Sequence, residues 1–127
     1  MSARPRRSHR RWRGTAVAAL LLLVGSAVPL PPRHNPDFGP FGPDKFLHGV
    51  GHAAFAAALA AALGDGSSGR VALAGVVAST AYGLSTELLQ ESVPGREFER
   101  ADVVAGLLGS IVGVVGWRRL GGDPVVR

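Results

Sequence analysis

The distribution of charge along the chain is the feature that most restricts its fold. Charged residues make up only 18% of the sequence, and they are grouped between long apolar runs rather than spread along helical faces. A helix pairs its own backbone groups where no water is available, so each apolar run predicts a membrane-spanning helix. We therefore predict an all-α membrane protein, a compact bundle of four transmembrane helices. The predicted spans cover residues 15–30, 46–63, 71–89 and 103–120.

The length of 127 residues leaves room for one domain. We expect a membrane domain at 15–120, a basic cytoplasmic tail at 1–14 and a C-terminal tail at 121–127. The first apolar run has sixteen residues, whereas a span needs roughly 20. A retained span is favoured. A cleaved signal peptide is the alternative, because the basic start, the leucine-rich middle and the small residues Gly25-Ser26-Ala27 also fit one.

Composition excludes several classes of function. The chain has no cysteine, so disulfides, thiolate nucleophiles and thiolate metal ligands are excluded. The net charge is +5, and six arginines lie within the first thirteen residues. No nucleic-acid-binding motif accompanies these arginines. A basic stretch directly before an apolar run instead predicts a topology signal or a contact with anionic lipid.

Small residues recur at four-residue spacing on the last three predicted helices. Such stripes let helix backbones approach closely in lipid. They are Gly49/Ala53/Ala57, Gly75/Ser79/Gly83 and Gly109/Gly113. The proline-rich segment 29–43, the connection 64–70 and the polar segment around Pro94-Gly95 predict loops and turns between the helices.

The count of Lys and Arg predicts the orientation, because these residues are enriched in cytoplasmic loops. Ten of the fourteen lie in the two tails, the 64–70 connection and the end of the last span, where Arg118 and Arg119 are counted with the C-terminal tail. The other side, with loops 31–45 and 90–102, has four. This predicts a multi-pass protein of the cell membrane with both termini in the cytoplasm and these two loops outside.

The predicted topology brings polar residues from three helices to the outer face. Residues three or four positions apart are neighbours on a helix surface, so each helix presents a shared polar face there. The candidate site residues are Asp44, Lys45, His48 and His52 of the second helix, Glu87 and Gln90 of the third, Arg96 of the turn, and Asp102 of the fourth.

Each of these residues has a predicted role. Lys45 and Arg96 are the candidates for binding an anion, because both are cationic and a guanidinium binds oxyanions bidentately. The candidates for acid–base work are Glu87, Asp102 and His48. The supporting residues are Asp44, Gln90 and His52. Glu87 is the sharpest case, because an unpaired charge one turn inside an apolar boundary costs roughly 2–3 kcal/mol.

Structural interpretations stand beside these roles. Asp44 and Asp102 are well placed as helix N-caps. A buried His48 would be satisfied by Asp44. Glu87 would form an ion pair with Arg96 that joins two helices. The remaining charges of the turn are interpreted as solvated. They are Glu91, Glu97, Glu99 and Arg100.

A metal site is a weaker interpretation. His48, Glu87 and Asp102 together would suit zinc or a harder divalent ion, but no HExxH or comparable spacing supports it. The sequence also lacks a glycine-rich phosphate loop and a nucleophile elbow. We therefore predict no metal and no cofactor.

Three blocks of the sequence resemble the VanZ-like family of small integral membrane proteins. The first is Asp44-Lys45-Phe46-Leu47-His48, similar to D-K-x-x-H. The second is Tyr82-Gly83 followed by Glu87 and Gln90, similar to Y-G…E-x-x-Q. The third is Pro94-Gly95-Arg96 with Asp102 and Gly109, similar to P-x-R…D…G. The resemblance covers roughly residues 44–113 and implies a membrane protein, without a biochemical mechanism.

The chain departs from the family pattern at two positions. Gly106 stands where the family usually has asparagine, four residues after the aspartate. His52 stands where an aromatic residue usually follows the histidine by four. The missing amide removes a polar group from the predicted site, and His52 is a candidate to compensate for it.

We expect a membrane protein with an outward-facing polar pocket that binds, or acts on, an anionic lipid or envelope-precursor headgroup. The alternative is a structural or assembly protein whose polar cluster only holds the helix ends together. The expected partners are membrane lipids and an anionic lipid-linked ligand rather than nucleic acid. A homo-oligomer and an enzymatic activity are both left open. A transporter is less favoured, because the inner half offers only Ser79 and Thr80 as polar residues.

Overall fold

The computed structural model describes residues 4–27, 43–64, 69–95 and 97–120. These residues form four α-helices, which are α1 (Arg4–Ala27), α2 (Pro43–Leu63), α3 (Gly69–Gln90) and α4 (Arg100–Leu120). The predicted all-helical fold class is confirmed for this part of the chain. The last three helices begin and end within three residues of the predicted spans.

Helix α1 begins earlier than the apolar run. It starts at Arg4, so most of the predicted basic tail is helical and continuous with the apolar residues that follow. Arginine is a good helix former, and Pro5 is tolerated because it lies in the first turn, where its missing N–H has no intrahelical partner. The apolar half contacts α2 and α3. There the Tyr82 hydroxyl donates to the Ala19 carbonyl at 2.5 Å.

Three of the described helices are long and apolar enough to cross a membrane. Their spans are Lys45–Leu63, Gly69–Gln90 and Arg100–Leu120. Helix α1 does not meet the same criterion among the described helices, because its first half is basic. The predicted fourth span therefore stays a prediction, while the membrane character of the chain is supported by the other three.

The described part of the bundle buries polar side chains as well as a small apolar core, and it exposes many large apolar side chains. Fully buried side chains include His52, Glu87, Ser79 and Ser110, whereas large apolar side chains such as Phe46 face outward. Apolar side chains are stable against lipid tails, and polar side chains in a membrane must find partners within the protein. Buried polar side chains and an apolar outer surface are therefore expected of helices packed in a bilayer.

Helices α2 and α4 form the closest contact of the bundle. A Cβ atom at Gly109 would overlap the backbone of Gly49, and one at Gly113 would overlap the backbone of Ala53. The predicted stripes on these two helices are thus confirmed as packing faces. Only glycine permits this approach, which brings the polar side chains of α2 and α4 within reach of each other.

A tight turn after α3 returns the chain toward α4. The N–H of Val93 donates to the carbonyl of Gln90 at 3.0 Å. Gly95 adopts a φ of 79°, which a residue with a Cβ rarely adopts. The turn predicted at Pro94-Gly95 is confirmed, and it places residues 97–99 over the end of α3 and the start of α4.

Candidate functional site

Lys45 lies at the centre of a polar cluster at one end of the bundle. Its side chain is only 6% exposed and forms ion pairs with Glu99 and with Asp102. The Nζ atom is 2.7 Å from Oδ1 of Asp102. These contacts join the start of α2 to the start of α4 and to the segment before it. A buried ammonium requires such partners, because it has left its hydration shell.

The two partners of Lys45 differ in their access to solvent. The Asp102 side chain is 11% exposed, whereas the Glu99 side chain is 51% exposed. Asp102 lies in the first turn of α4, whose helical geometry fixes it. Glu99 precedes that helix. One carboxylate is therefore built into the bundle, and the other is held at its surface.

Glu87 completes the cluster from the last turn of α3. The residue is fully buried and accepts a hydrogen bond from the backbone N–H of Glu99 at 3.3 Å. The carboxyl groups of Glu87 and Asp102 lie close together, with Lys45 and the backbone N–H of Glu99 beside them.

Gln90 lies beside Glu87 at the same end of α3. We place its amide with the nitrogen toward Glu87, because the opposite orientation sets oxygen against oxygen. The amide nitrogen is then 3.1 and 3.2 Å from the two carboxyl oxygens of Glu87. Five residues thus form one connected group, which we call the end cluster. Its members are Lys45, Glu87, Gln90, Glu99 and Asp102.

The helix termini favour negative charge at this end of the bundle. Helices α2 and α4 both begin here, and the N-terminus of a helix carries a partial positive charge from its unpaired N–H groups. Lys45 is the third residue of α2, and Asp102 is the third residue of α4. Two helix dipoles and one ammonium together explain why the end cluster tolerates three carboxyl groups.

A second buried polar group lies deeper along α2. His52 is fully buried, and its Nδ1 atom is 2.9 Å from the Ser79 hydroxyl of α3. The Ser110 hydroxyl of α4 is 2.7 Å from that of Ser79. We call these three residues the serine–histidine group. On α2, His48 lies between Lys45 of the end cluster and His52 of this group. The ring centroid of His48 is 4.7 Å from that of His52.

Two glycines make room for the His52 ring. A Cβ atom at Gly83 would be 2.8 Å from Cε1 of His52, and one at Gly106 would be 3.2 Å from Cδ2. Gly106 and His52 are the two positions that depart from the VanZ-like pattern. They lie in contact, so the imidazole occupies space that a side chain at position 106 would need. The two departures from the VanZ-like pattern therefore amount to one change in packing, in which the His52 ring lies against Gly106.

The pairing of a serine with a histidine occurs in nucleophilic enzymes, but its surroundings here differ. Ser79, Ser110 and His52 are all fully buried. A nucleophile must be within reach of its substrate, and buried hydroxyls instead satisfy each other's hydrogen bonds. The group therefore holds α2, α3 and α4 together at mid-depth.

The structure brings together four of the eight predicted site residues in the end cluster. Lys45, Glu87, Gln90 and Asp102 meet there, while His52 lies in the deeper group. Arg96 lies outside the described residues, and of Asp44 only its position inside α2 is described. Within the described part of the chain, no three His, Cys, Asp or Glu side chains are grouped to hold a metal ion.

Two structural interpretations change with these positions. Asp102 lies inside the first turn of α4 rather than before it, and its carboxylate pairs with Lys45 instead of serving mainly as a cap. Glu99 was interpreted as a solvated loop charge; its side chain is 51% exposed, and it also pairs with Lys45. The available signal was its spacing. Glu99 lies three residues before Asp102, on the same side of the helix start.

Sequence reasoning also missed Ser79 as the partner of His52 and Ser110 as the partner of Ser79. Ser79 was included only as a small residue of a packing stripe. A hydroxyl within such a stripe is the signal to use, since stripe residues face the neighbouring helix.

Comparison with known proteins adds no relative. No protein-family model matches the chain, and no curated protein and no solved structure shows significant similarity to it. The resemblance to the VanZ-like family therefore rests on the three sequence blocks alone and stays a prediction.

Proposed function

We propose that this chain is an integral membrane protein that binds an anionic headgroup at Lys45, in place of the Glu99 carboxylate. The observation that carries the proposal is the difference in exposure between the two partners of Lys45, 51% for Glu99 and 11% for Asp102. Asp102 keeps the ammonium in position. Glu99 can turn into water at little cost, because its side chain is already half exposed.

Charge balance supports an exchange of this kind. Lys45 carries one positive charge, and the Asp102 carboxylate 2.7 Å away balances it. With Glu99 turned away, the Lys45–Asp102 pair is neutral. An incoming anion then restores the charge that Glu99 supplied. The N-termini of α2 and α4 stabilise either anion in the same way.

The orientation of the protein belongs to the same proposal. We place the end cluster outside the cytoplasm, on the count of Lys and Arg in the sequence, with α1 as the fourth span in the cell membrane and both termini in the cytoplasm. Because the chain has no native cysteine, single cysteines at Glu97 and Ser67 test this. An impermeant thiol reagent on intact cells should label position 97 and not position 67, and the reverse pattern places the end cluster in the cytoplasm.

The main test measures the affinity of the purified full-length protein for phosphatidylglycerol in mixed micelles. We expect Glu99→Gln to tighten binding about tenfold, because the internal competitor for Lys45 is removed. The matched control is Glu97→Gln, an exposed glutamate two residues away, which should change affinity little. Equal affinity of Glu99→Gln and the unchanged protein contradicts the proposal.

A second candidate function is purely structural. In this alternative the end cluster only holds the helix ends together, and the protein acts as an assembly partner. The 2.7 Å contact between two nearly buried groups, Lys45 and Asp102, favours it. It predicts that Glu99→Gln lowers the free energy of unfolding slightly and leaves lipid affinity unchanged. The same pair of variants therefore separates the two candidates.

The predicted acid–base roles of Glu87, Asp102 and His48 stay predictions. Headgroup binding requires no bond to form or break. Replacing Glu87 with Gln provides a test of its part in binding, because it removes the buried carboxyl group that accepts from the backbone N–H of Glu99. A folded Glu87→Gln variant with unchanged lipid affinity would show that Glu87 does not organise the anion site.

A further inference from the structure

Large apolar side chains surround the end cluster on its outer surface. Phe46 and Leu47 directly follow Lys45, and their side chains are 73% and 68% exposed. On α3, Leu88 and Leu89 directly follow Glu87 and are 55% and 47% exposed. In a membrane these side chains face lipid, because the exposure of apolar side chains to water is unfavourable. The place where the Glu99 carboxylate pairs with Lys45 is therefore next to the bilayer.

We propose that the ligand at Lys45 is a membrane lipid whose headgroup carries one negative charge, and that it enters from the bilayer. This inference rests on the proposed function and adds the class of ligand. The headgroup takes the place of the Glu99 carboxylate, and an acyl chain lies along the exposed side of α2. Phe46 and Val50 are four residues apart on that side and are 73% and 50% exposed.

The apolar border distinguishes a lipid from a soluble anion of the same charge. A free anion gains only the contact with the ammonium and the helix N-termini. A lipid gains this contact and also keeps its acyl chains against Phe46 and its neighbours, without leaving the bilayer. Because the head and the chains are linked, the second contact needs no further loss of translational freedom.

The preference for a single charge follows from the groups that stay in place. Turning Glu99 away removes one negative charge from Lys45, while the Asp102 carboxylate stays in place. A headgroup with one charge replaces what was lost. A headgroup with two charges adds an unbalanced charge beside a buried carboxylate, where the low dielectric makes repulsion strong.

The experiment uses the full-length protein in mixed micelles and displacement of a fluorescent phosphatidylglycerol. The competitors are unlabelled phosphatidylglycerol, its deacylated headgroup glycerophosphoglycerol, and phosphatidic acid. The pH is mildly alkaline, so that the phosphomonoester carries two charges. We expect phosphatidylglycerol to compete at least tenfold better than either of the others.

The variant Phe46→Ala should weaken competition by phosphatidylglycerol and leave competition by glycerophosphoglycerol unchanged. Val112→Ala, an exposed valine of α4 far from Lys45 in sequence, is the matched control.

Each outcome has a separate meaning. If glycerophosphoglycerol competes as well as the lipid, the ligand is a soluble anion and the lipid inference is overturned, while the proposed function survives. If phosphatidic acid competes equally or better, the preference for one charge is overturned. If no competitor responds to Glu99→Gln, the proposed function itself fails, because Lys45 is then not where the anion binds.

Discussion

Lys45 and His52 lie two turns apart on the same helix, yet their side chains have opposite surroundings. Lys45 contacts carboxylates, one of which is half exposed at the end of the bundle. His52 contacts the buried hydroxyl of Ser79, which in turn contacts that of Ser110, and two glycines make room for its ring. Charge is kept at the end of the bundle, where the Glu99 side chain is half exposed. At mid-depth the buried polar side chains are hydroxyls and an imidazole.

This difference separates binding from stability. Groups that can exchange partners lie at the surface of the end cluster, so changes there should alter ligand binding. The serine–histidine group has no exchangeable partner among the described residues, so changes there should alter only the free energy of unfolding. Four predictions test this separation, and they run from the largest expected effect on stability to the smallest.

The largest effect is expected at the contact between α2 and α4, on which both polar regions depend. Gly113→Leu should destabilise the bundle by about 3 kcal/mol or more, because the new side chain overlaps the backbone of Ala53. Unfolding with SDS in mixed micelles measures this. The control is Gly116→Leu on the same helix, where a Cβ has open space within 4 Å. Equal stability of the two variants would show that the close helix contact does not exist.

The next effect is expected at the buried cation. Lys45→Met should cost about 3 kcal/mol, because it leaves the carboxyl groups of the end cluster without their ammonium. Adding Asp102→Asn should recover part of this cost, since it removes one of the unbalanced groups. The control is Arg100→Met, which removes an exposed cation from the same turn of α4 as Asp102. No recovery in the double variant would argue against a direct Lys45–Asp102 pair.

A smaller effect is expected in the serine–histidine group. Ser79→Ala should cost about 1–2 kcal/mol, because it leaves the buried Nδ1 of His52 without its partner. Ser110→Ala should cost less than that, since Ser110 only donates to Ser79 and to the Gly106 carbonyl. Neither should change affinity for phosphatidylglycerol. A change in lipid affinity with either variant would show that the two polar regions are coupled.

The smallest effect on stability is expected at Glu99. Glu99→Gln should change the free energy of unfolding by no more than about 1 kcal/mol, because half-exposed ion pairs contribute little. The same variant should tighten the binding of phosphatidylglycerol. A loss of stability comparable to that of Lys45→Met would show instead that Glu99 is a structural group that does not exchange.

The sequence predicted the helices well and the site in part. Uninterrupted apolar runs bounded by polar turns locate helices directly, so both ends of the last three helices agree with the predicted spans within three residues. Helix α1 extends further because its arginines are helix formers without being apolar. For the site, the antiparallel order of the helices was enough to bring Lys45, Glu87, Gln90 and Asp102 to one end.

The partners within the site were less predictable. Glu99 was interpreted as solvated, because a charge in a polar turn ordinarily is. Its contact with Lys45 joins residues 54 positions apart in the chain. His52 was predicted only to support the site and to compensate for the missing amide. Its partner Ser79 and the glycines that make room for its ring, Gly83 and Gly106, lie on two other helices.

The sequence by itself determined that this is a helical membrane protein with its charges collected at the helix ends, because lipid excludes unpaired polar backbone and isolated charge. Only the tertiary structure decided which charge meets which. The close approach of Gly109 and Gly113 to α2 sets the depth and rotation of α4. That rotation places Asp102 against Lys45 and seals His52 inside, and no local pattern along the chain specifies it.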